Sequence, residues 1–232
     1  MKKLILSLTL AATCISTVSA ADFFSTEKSS QLFNLGVRVG LNTSNRTLSS
    51  SSANLWNKNS WGIGFDAGVV ADINFKDFIS LQPGFFYETR SGSFAYQSIY
   101  YTEDGAHDVF TQLGKGREYL FTIPVLASVH FNITDDLRWD VECGPYLQIK
   151  LKSTFDRSFE YPWATAGGGL VYLDNVKTAK VDVGLKIGTG LNILDDYYIG
   201  VHYLAGFCHP WFPGELGGRN KEWMFTIGYN FF

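Results

Sequence analysis

Charged side chains in this 232-residue chain recur at every second position inside otherwise apolar segments, and that spacing is its first chemical signal. Arg38, Asp66, Asp72, Glu88, Arg138, Asp140, Glu142, Lys150, Asp182 and Lys186 all sit this way. Cations and carboxylates on shared faces can form a buried ion-pair network where a soluble domain keeps its hydrophobic core. The same set could line a narrow polar channel or proton path. Other arrangements support less chemistry. His107, His130, His202 and His209 lack metal-ligand spacing. His202 and Cys208 share a face but stand about 20 Å apart along a strand. Gly114-Lys115-Gly116 lacks the strand–helix setting of a phosphate-binding loop. The apolar rows carry almost no polar residue beyond Thr89 and Thr189, so they hold no His–Ser–acid cluster. His209, beside Trp211, is the one candidate base for a lipid-acting enzyme. The expectation is no enzyme, no metal and no cofactor.

The elements that carry these residues read as strands. In Phe33-Asn34-Leu35-Gly36-Val37-Arg38-Val39-Gly40-Leu41-Asn42 every odd position is apolar and every even one is Asn, Gly or Arg. The same alternation recurs over 61–74, 79–88, 119–131, 138–152, 181–193, 199–208 and 223–231, which makes eight segments. In the fifth, Lys150 and Lys152 fall on the polar row. The breaks alternate as well. Lys76-Asp77, Thr134-Asp135-Asp136 and Asp195-Asp196 are short, whereas Thr43–Ser60, Ser91–Gly116, Ser153–Thr178 and Pro210–Asn220 are long. An even number of tilted strands with short turns at one end and long loops at the other is the pattern of an outer-membrane barrel.

Composition agrees. Apolar residues make up 46% and aromatics 16%, with only 18% charged, which excludes a disordered chain. A net charge of −3 gives no basic surface for nucleic acid. Residues 1–20 read as a signal peptide, with basic Met1-Lys2-Lys3, an apolar run and Val18-Ser19-Ala20, cleaved after Ala20 or Ala21. Losing Lys2 and Lys3 leaves 17 basic and 22 acidic residues, a net −5. Residues 21–30 then form a short periplasmic segment and 31–232 the barrel domain. Cys143 reads as outward and Cys208 as inward, so they are not expected to form a disulfide.

A soluble eight-stranded barrel would put the apolar rows inside and the charged rows in water. The polar rows here hold most of the glycines, which suit a narrow interior. The apolar rows carry Trp61, Tyr119, Phe131, Trp139, Tyr197 and Trp223 at their ends, as interfacial girdles do. The expected fold is therefore all-β, an eight-stranded antiparallel transmembrane β-barrel filled by its own side chains. Outer-membrane lipid is the expected surrounding, with a protein partner reached through extracellular loops or periplasmic turns. Phe94, Tyr96, Tyr100, Tyr101, Tyr161, Trp163 and Trp211 fall in the long breaks. They read equally as a recognition surface or as rim anchors, and the alternate spacing within Ser91–Gly116 suggests that this hairpin extends beyond the bilayer.

Several stretches carry a family likeness. These are Gly36-Val37-Arg38-Val39-Gly40-Leu41-Asn42, Ser80-Leu81-Gln82-Pro83-Gly84-Phe85-Phe86-Tyr87 and Tyr119-Leu120-Phe121-Thr122-Ile123-Pro124-Val125. Cys143-Gly144-Pro145-Tyr146-Leu147, Tyr197-Tyr198-Ile199-Gly200-Val201 and the closing Thr226-Ile227-Gly228-Tyr229-Asn230-Phe231-Phe232 belong with them. Through these the chain resembles the PorT-like outer-membrane β-barrel family of Bacteroidota-type Gram-negative bacteria. The resemblance implies an integral outer-membrane protein. Its functional alternatives are a structural or adhesive barrel and an accessory subunit of a protein-secretion assembly.

Overall fold

The computed structural model describes residues 26–29, 31–48, 54–101, 107–160, 171–172, 180–207 and 218–231. The proposed signal peptide lies outside them. Nine strands are present: β1 (Phe33–Leu48), β2 (Asn54–Lys76), β3 (Ile79–Tyr101), β4 (His107–Thr134), β5 (Leu137–Glu160), β6 (Val171–Tyr172), β7 (Val181–Ile193), β8 (Tyr197–Gly206) and β9 (Gly218–Asn230). Consecutive long strands pair antiparallel, β5 pairs with β7, and β1 pairs with β9 from Gly36↔Asn230 to Leu48↔Gly218. Eight strands thus close into a barrel, and β6 only adds two residues beside Ser158 and Phe159 of β5.

Exposure decides between the two barrel readings. The apolar rows face outward: Leu41 is 63% exposed, Ile63 72% and Ile227 59%, while Glu88, Glu142 and Glu222 inside are at 0%. A surface of this kind suits hydrocarbon, and only a closed barrel satisfies its backbone there. The soluble alternative puts these rows on the wrong side. Aromatic contacts reinforce the wall near the end that carries the short turns, with Phe131 and Trp139 ring centroids 5.3 Å apart and those of Tyr197 and Tyr229 5.5 Å apart.

The breaks expected to be long loops are all partly strand. β3 and β4 stay paired up to Tyr101↔His107, β4 and β5 up to Thr111↔Glu160, and β2 and β3 up to Asn54↔Ser98. Ladder pairing needs only backbone groups. Beyond the membrane both faces of the ribbon meet water, so the side-chain alternation fades while the hydrogen bonds continue. At the fourth break β9 begins at Gly218, and residues 208–217, Cys208 and His209 among them, lie outside the described residues.

Two bulges redirect side chains. Between Tyr119↔Lys152 and Leu120↔Lys150 the residue Leu151 has no partner. An extra residue in one strand reverses its facing beyond that point. Lys150 therefore points inward, whereas Lys152 is exposed on the outer wall beside Tyr119, not on the inner row where plain alternation places it. A second shift lies between Trp61 and Asp66 of β2. There Thr89, expected on the outer row, is only 4% exposed, and its Oγ1 accepts from the Phe65 amide at 3.0 Å. At Gly64 a Cβ would stand 1.8 Å from the Thr89 carbonyl oxygen, so the wall closes there only on glycine.

Candidate functional site

The interior holds the polar residues in three tiers, counted from the short turns upward. In the lowest, β3 supplies Ser80, β4 His130 and β5 Asp140, on adjacent strands and the same inward face. His130 Nδ1 lies 2.7 Å from Asp140 Oδ1, and its Nε2 lies 2.9 Å from Ser80 Oγ. Arg138 Nε stands 3.3 Å from the same Asp140 oxygen, and Asn192 Nδ2 donates to the other. Asp72 accepts from Gln82 Nε2 at 2.7 Å. Serine, imidazole and carboxylate in this order have the geometry of an activated nucleophile. Attack also needs a carbonyl carbon at Oγ, and Ser80 is 1% exposed, with its face against the packed interior. The chain of contacts ties three strands together across the barrel wall.

In the middle tier Glu142 accepts from Tyr198 Oη at 3.1 Å, and His202 Nε2 lies 2.5 Å from its other oxygen. The Arg38 guanidinium covers the Tyr198 ring at 4.3 Å and donates to Asn230 Oδ1 at 2.8 Å. Glycines at 190 and 200 let that ring lie flat, since a Cβ at Gly190 would come within 2.4 Å of the ring and one at Gly200 within 2.4 Å of its hydroxyl. Lys186 Nζ sits 5.1 Å from the Phe86 ring centre. The interior is not purely ionic: Tyr146, Leu204 and Met224 form an apolar cluster inside, and Val70, Phe86, Leu120 and Leu126 are buried as well.

The upper tier centres on Arg90. Its Nη2 lies 2.6 Å from Glu222 and 3.1 Å from Glu88, and it donates to Gln148 Oε1 at 3.0 Å. Thr122 Oγ1 donates to Glu88 at 2.6 Å. Lys150 pairs with Glu118 at 2.6 Å, and Asn220 Nδ2 donates to Asp182 at 2.9 Å. A small pocket opens among Arg90, Glu118, Gln148, Lys150 and Asp182.

Of the ten charged residues read from the sequence, the structure joins Arg138 to Asp140 directly and ties most of the others to partners off that list. Arg90 and Glu222 are in phase with the inner rows, but the expected strand ends at Glu88 and Trp223 cut them off. Ser80, His130 and His202 were legible only as residues on polar rows and Tyr198 fell one residue before its expected segment, because Asp140 and Glu142, which join them, come from another strand. Asp66 is 1% exposed, and neither of its carboxylate oxygens has a hydrogen-bond partner among the described residues. Phe94, Tyr96, Tyr100 and Tyr101 lie in the paired upper part of β3, opposite Gly114, Gln112, Asp108 and His107. Tyr161, Trp163 and Trp211 lie outside the described residues. Cys143 is exposed and free, on the outer row as expected.

A family model described as outer membrane protein beta-barrel domain matches residues 24–209. Among solved structures, the attachment invasion locus protein Ail of Yersinia pestis, in complex with the heparin analogue sucrose octasulfate, is similar over 87% of this chain and 100% of its own, with 13% identity and a TM-score of 0.38. The Neisserial surface protein A is similar over 85% and 97%, with 14% identity and a TM-score of 0.39. OprG of Pseudomonas aeruginosa is similar over 90% and 99%, with 9% identity and a TM-score of 0.42. No curated protein matches the chain significantly.

Proposed function

This chain belongs to the outer membrane protein β-barrel domain family, and from that premise we propose a non-enzymatic barrel that presents its long hairpins to the cell exterior for adhesion or partner binding. The observation that carries this reading is the unbroken pairing of β3 and β4 up to Tyr101↔His107, far above the outward apolar rows. From Phe131 to Tyr119, twelve residue-to-residue steps of β4 at about 3.3 Å each and a tilt of about 40° span roughly 30 Å of height, a whole hydrocarbon core. Twelve further residues of the same strand, His107 to Glu118, rise beyond it. A paired ribbon of that length carries the backbone of β3 and β4 well clear of the lipid, where a partner can reach it.

The experiment replaces residues 94–114 with a short turn and compares cells carrying either form for attachment to protein-coated surfaces. Attachment should fall with the amount of folded barrel unchanged. Equal attachment would leave the barrel a structural component only.

A second reading is an accessory subunit of a secretion assembly. It is favoured by the acidic periplasmic turns, where Asp135, Asp136, Asp195 and Asp196 are all exposed. Gentle extraction and native electrophoresis separate the two: a lone barrel with its detergent supports the first, and a larger defined complex the second.

A further inference from the structure

The outer wall carries a cluster of cations where the apolar rows end. On β4 the outward residues run Phe121, Tyr119, Arg117, Lys115, and on β5 the bulge at Leu151 turns Lys152 to the same face. Arg117, Lys115 and Lys152 are all exposed. Lys152 stands opposite Tyr119 and Arg117 opposite Thr154, so Lys152 and Arg117 are diagonal neighbours, about 7–8 Å apart. Lys115 is two residues above Arg117, with Asp156 opposite it across the ladder. Among the residues whose side chains are described, none forms an ion pair with any of the three cations. Ser91 and Ser93 of β3 flank the group on its other side.

The vertical position sets the chemistry. Tyr119 tops the apolar row of β4, and the cluster begins one outward residue higher, at the level where lipid headgroups meet the wall. A cation facing solvated headgroups at that depth is matched by an anion of the lipid, and flexible Lys and Arg stems reach along the wall toward it. On the far side of the barrel Lys221 and Arg219 are exposed on β9 above Trp223, in the same vertical order. The turns at the opposite end carry the opposite sign, with exposed Asp135, Asp136, Asp195 and Asp196. We propose that Arg117, Lys152 and Lys115 form an outward-facing site for the phosphate groups of an outer-leaflet glycolipid, with Arg117 and Lys152 as its centre. Guanidinium binds phosphate oxygens in a two-point fork and the ammonium groups add point charges. The site rests on the orientation proposed above, with the long hairpins outward.

The test is run in detergent, where orientation plays no part, so a failure of lipid recognition and a failure of orientation are distinguishable. Full-length folded protein is titrated with purified lipid A carrying its phosphates and with the same lipid after their removal, and adducts are counted by native mass spectrometry. The phosphorylated lipid should bind at least tenfold more tightly. Millimolar inorganic phosphate should not displace it, because the acyl chains share the binding; displacement would reduce the site to a plain anion site and overturn the lipid proposal. R117Q/K152Q should lose the preference, and R117K should retain most of it. Equal binding of the two lipids by the wild-type protein overturns the proposal without reference to any variant. An undiminished preference in folded R117Q/K152Q assigns the binding elsewhere and overturns it as well.

Discussion

Arg90 is the side chain on which the upper interior depends most. It is 3% exposed and stands between Glu88 and Glu222, both at 0%. Removing it leaves two buried carboxylates without the cation that both contact, a loss that in buried pairs costs about 3–5 kcal/mol. Arg90→Met should therefore lower the urea midpoint of the barrel refolded in vesicles. Arg90→Met with Glu88→Gln and Glu222→Gln should recover much of the loss, since the triple variant leaves neither position with a carboxylate that has lost its cation. Ser80 predicts the opposite kind of outcome. Ser80→Ala removes one neutral hydrogen bond to His130 and should cost about 1 kcal/mol. Asp140→Ala frees His130, Arg138 and Asn192 together and should cost several times more in the same unfolding series. Near-equal losses would mean that the three contacts do not act as one cross-strand tie. At the turn between β7 and β8, Leu194 and Asp195 adopt φ of 55° and 59°, a conformation that a branched aliphatic side chain disfavours by about 1 kcal/mol or more. Leu194→Gly should raise the midpoint slightly, and a drop would show that the Leu194 side chain outweighs the strain.

At the scale of elements, the strands were the most legible part of the chain. Alternation alone separates Val181 to Ile193 into an exposed and a buried row, and the structure keeps that division throughout β7. Strand ends were less legible because they follow backbone pairing. Above the membrane the apolar rows stop while the ladder of β3 and β4 does not. The bulge in β5 had no signal at all. Lys150-Leu151-Lys152 reads as an uninterrupted polar–apolar–polar run, and only the register against β4 shows Leu151 to be the unmatched residue. That register makes a prediction. Deleting Leu151 leaves Leu120↔Lys150 and Tyr119↔Lys152 in place, so the variant should still give the fast-migrating folded band on an unheated gel. Deleting Leu147, which is paired with Ile123 and Val183, shifts every residue beyond it to the opposite face and should abolish that band. The interior tiers were the least legible, since Ser80, His130 and Asp140 are contributed by three strands and Glu142, Tyr198 and His202 by two.

For the whole molecule, the decisive observation is what the ring encloses. Leu126, Leu204, Met224, Glu142 and Glu222 are each no more than 1% exposed inside an eight-stranded wall, and a barrel of that size is just wide enough for its own side chains. Reconstituted in planar bilayers, the protein should give no discrete conductance steps. Steps that change in Lys186→Met would instead identify an ion path through the middle tier. The family membership agrees with the outward apolar rows and the closed ladder, which together place the chain across an outer membrane.

The closure has a further consequence. β1 and β9 lie side by side, and the Phe231 amide donates to the Leu35 carbonyl at 2.7 Å, so the first and last strands meet at the mouth that carries the short turns although about the whole chain separates them. Topologically the wall is a loop of strands with a single cut. A short linker could seal that cut, and a new one could be opened between Tyr101 and His107 without removing any strand. Such a circular permutant would keep every neighbour in the ring while carrying both its termini across to the opposite side of the membrane.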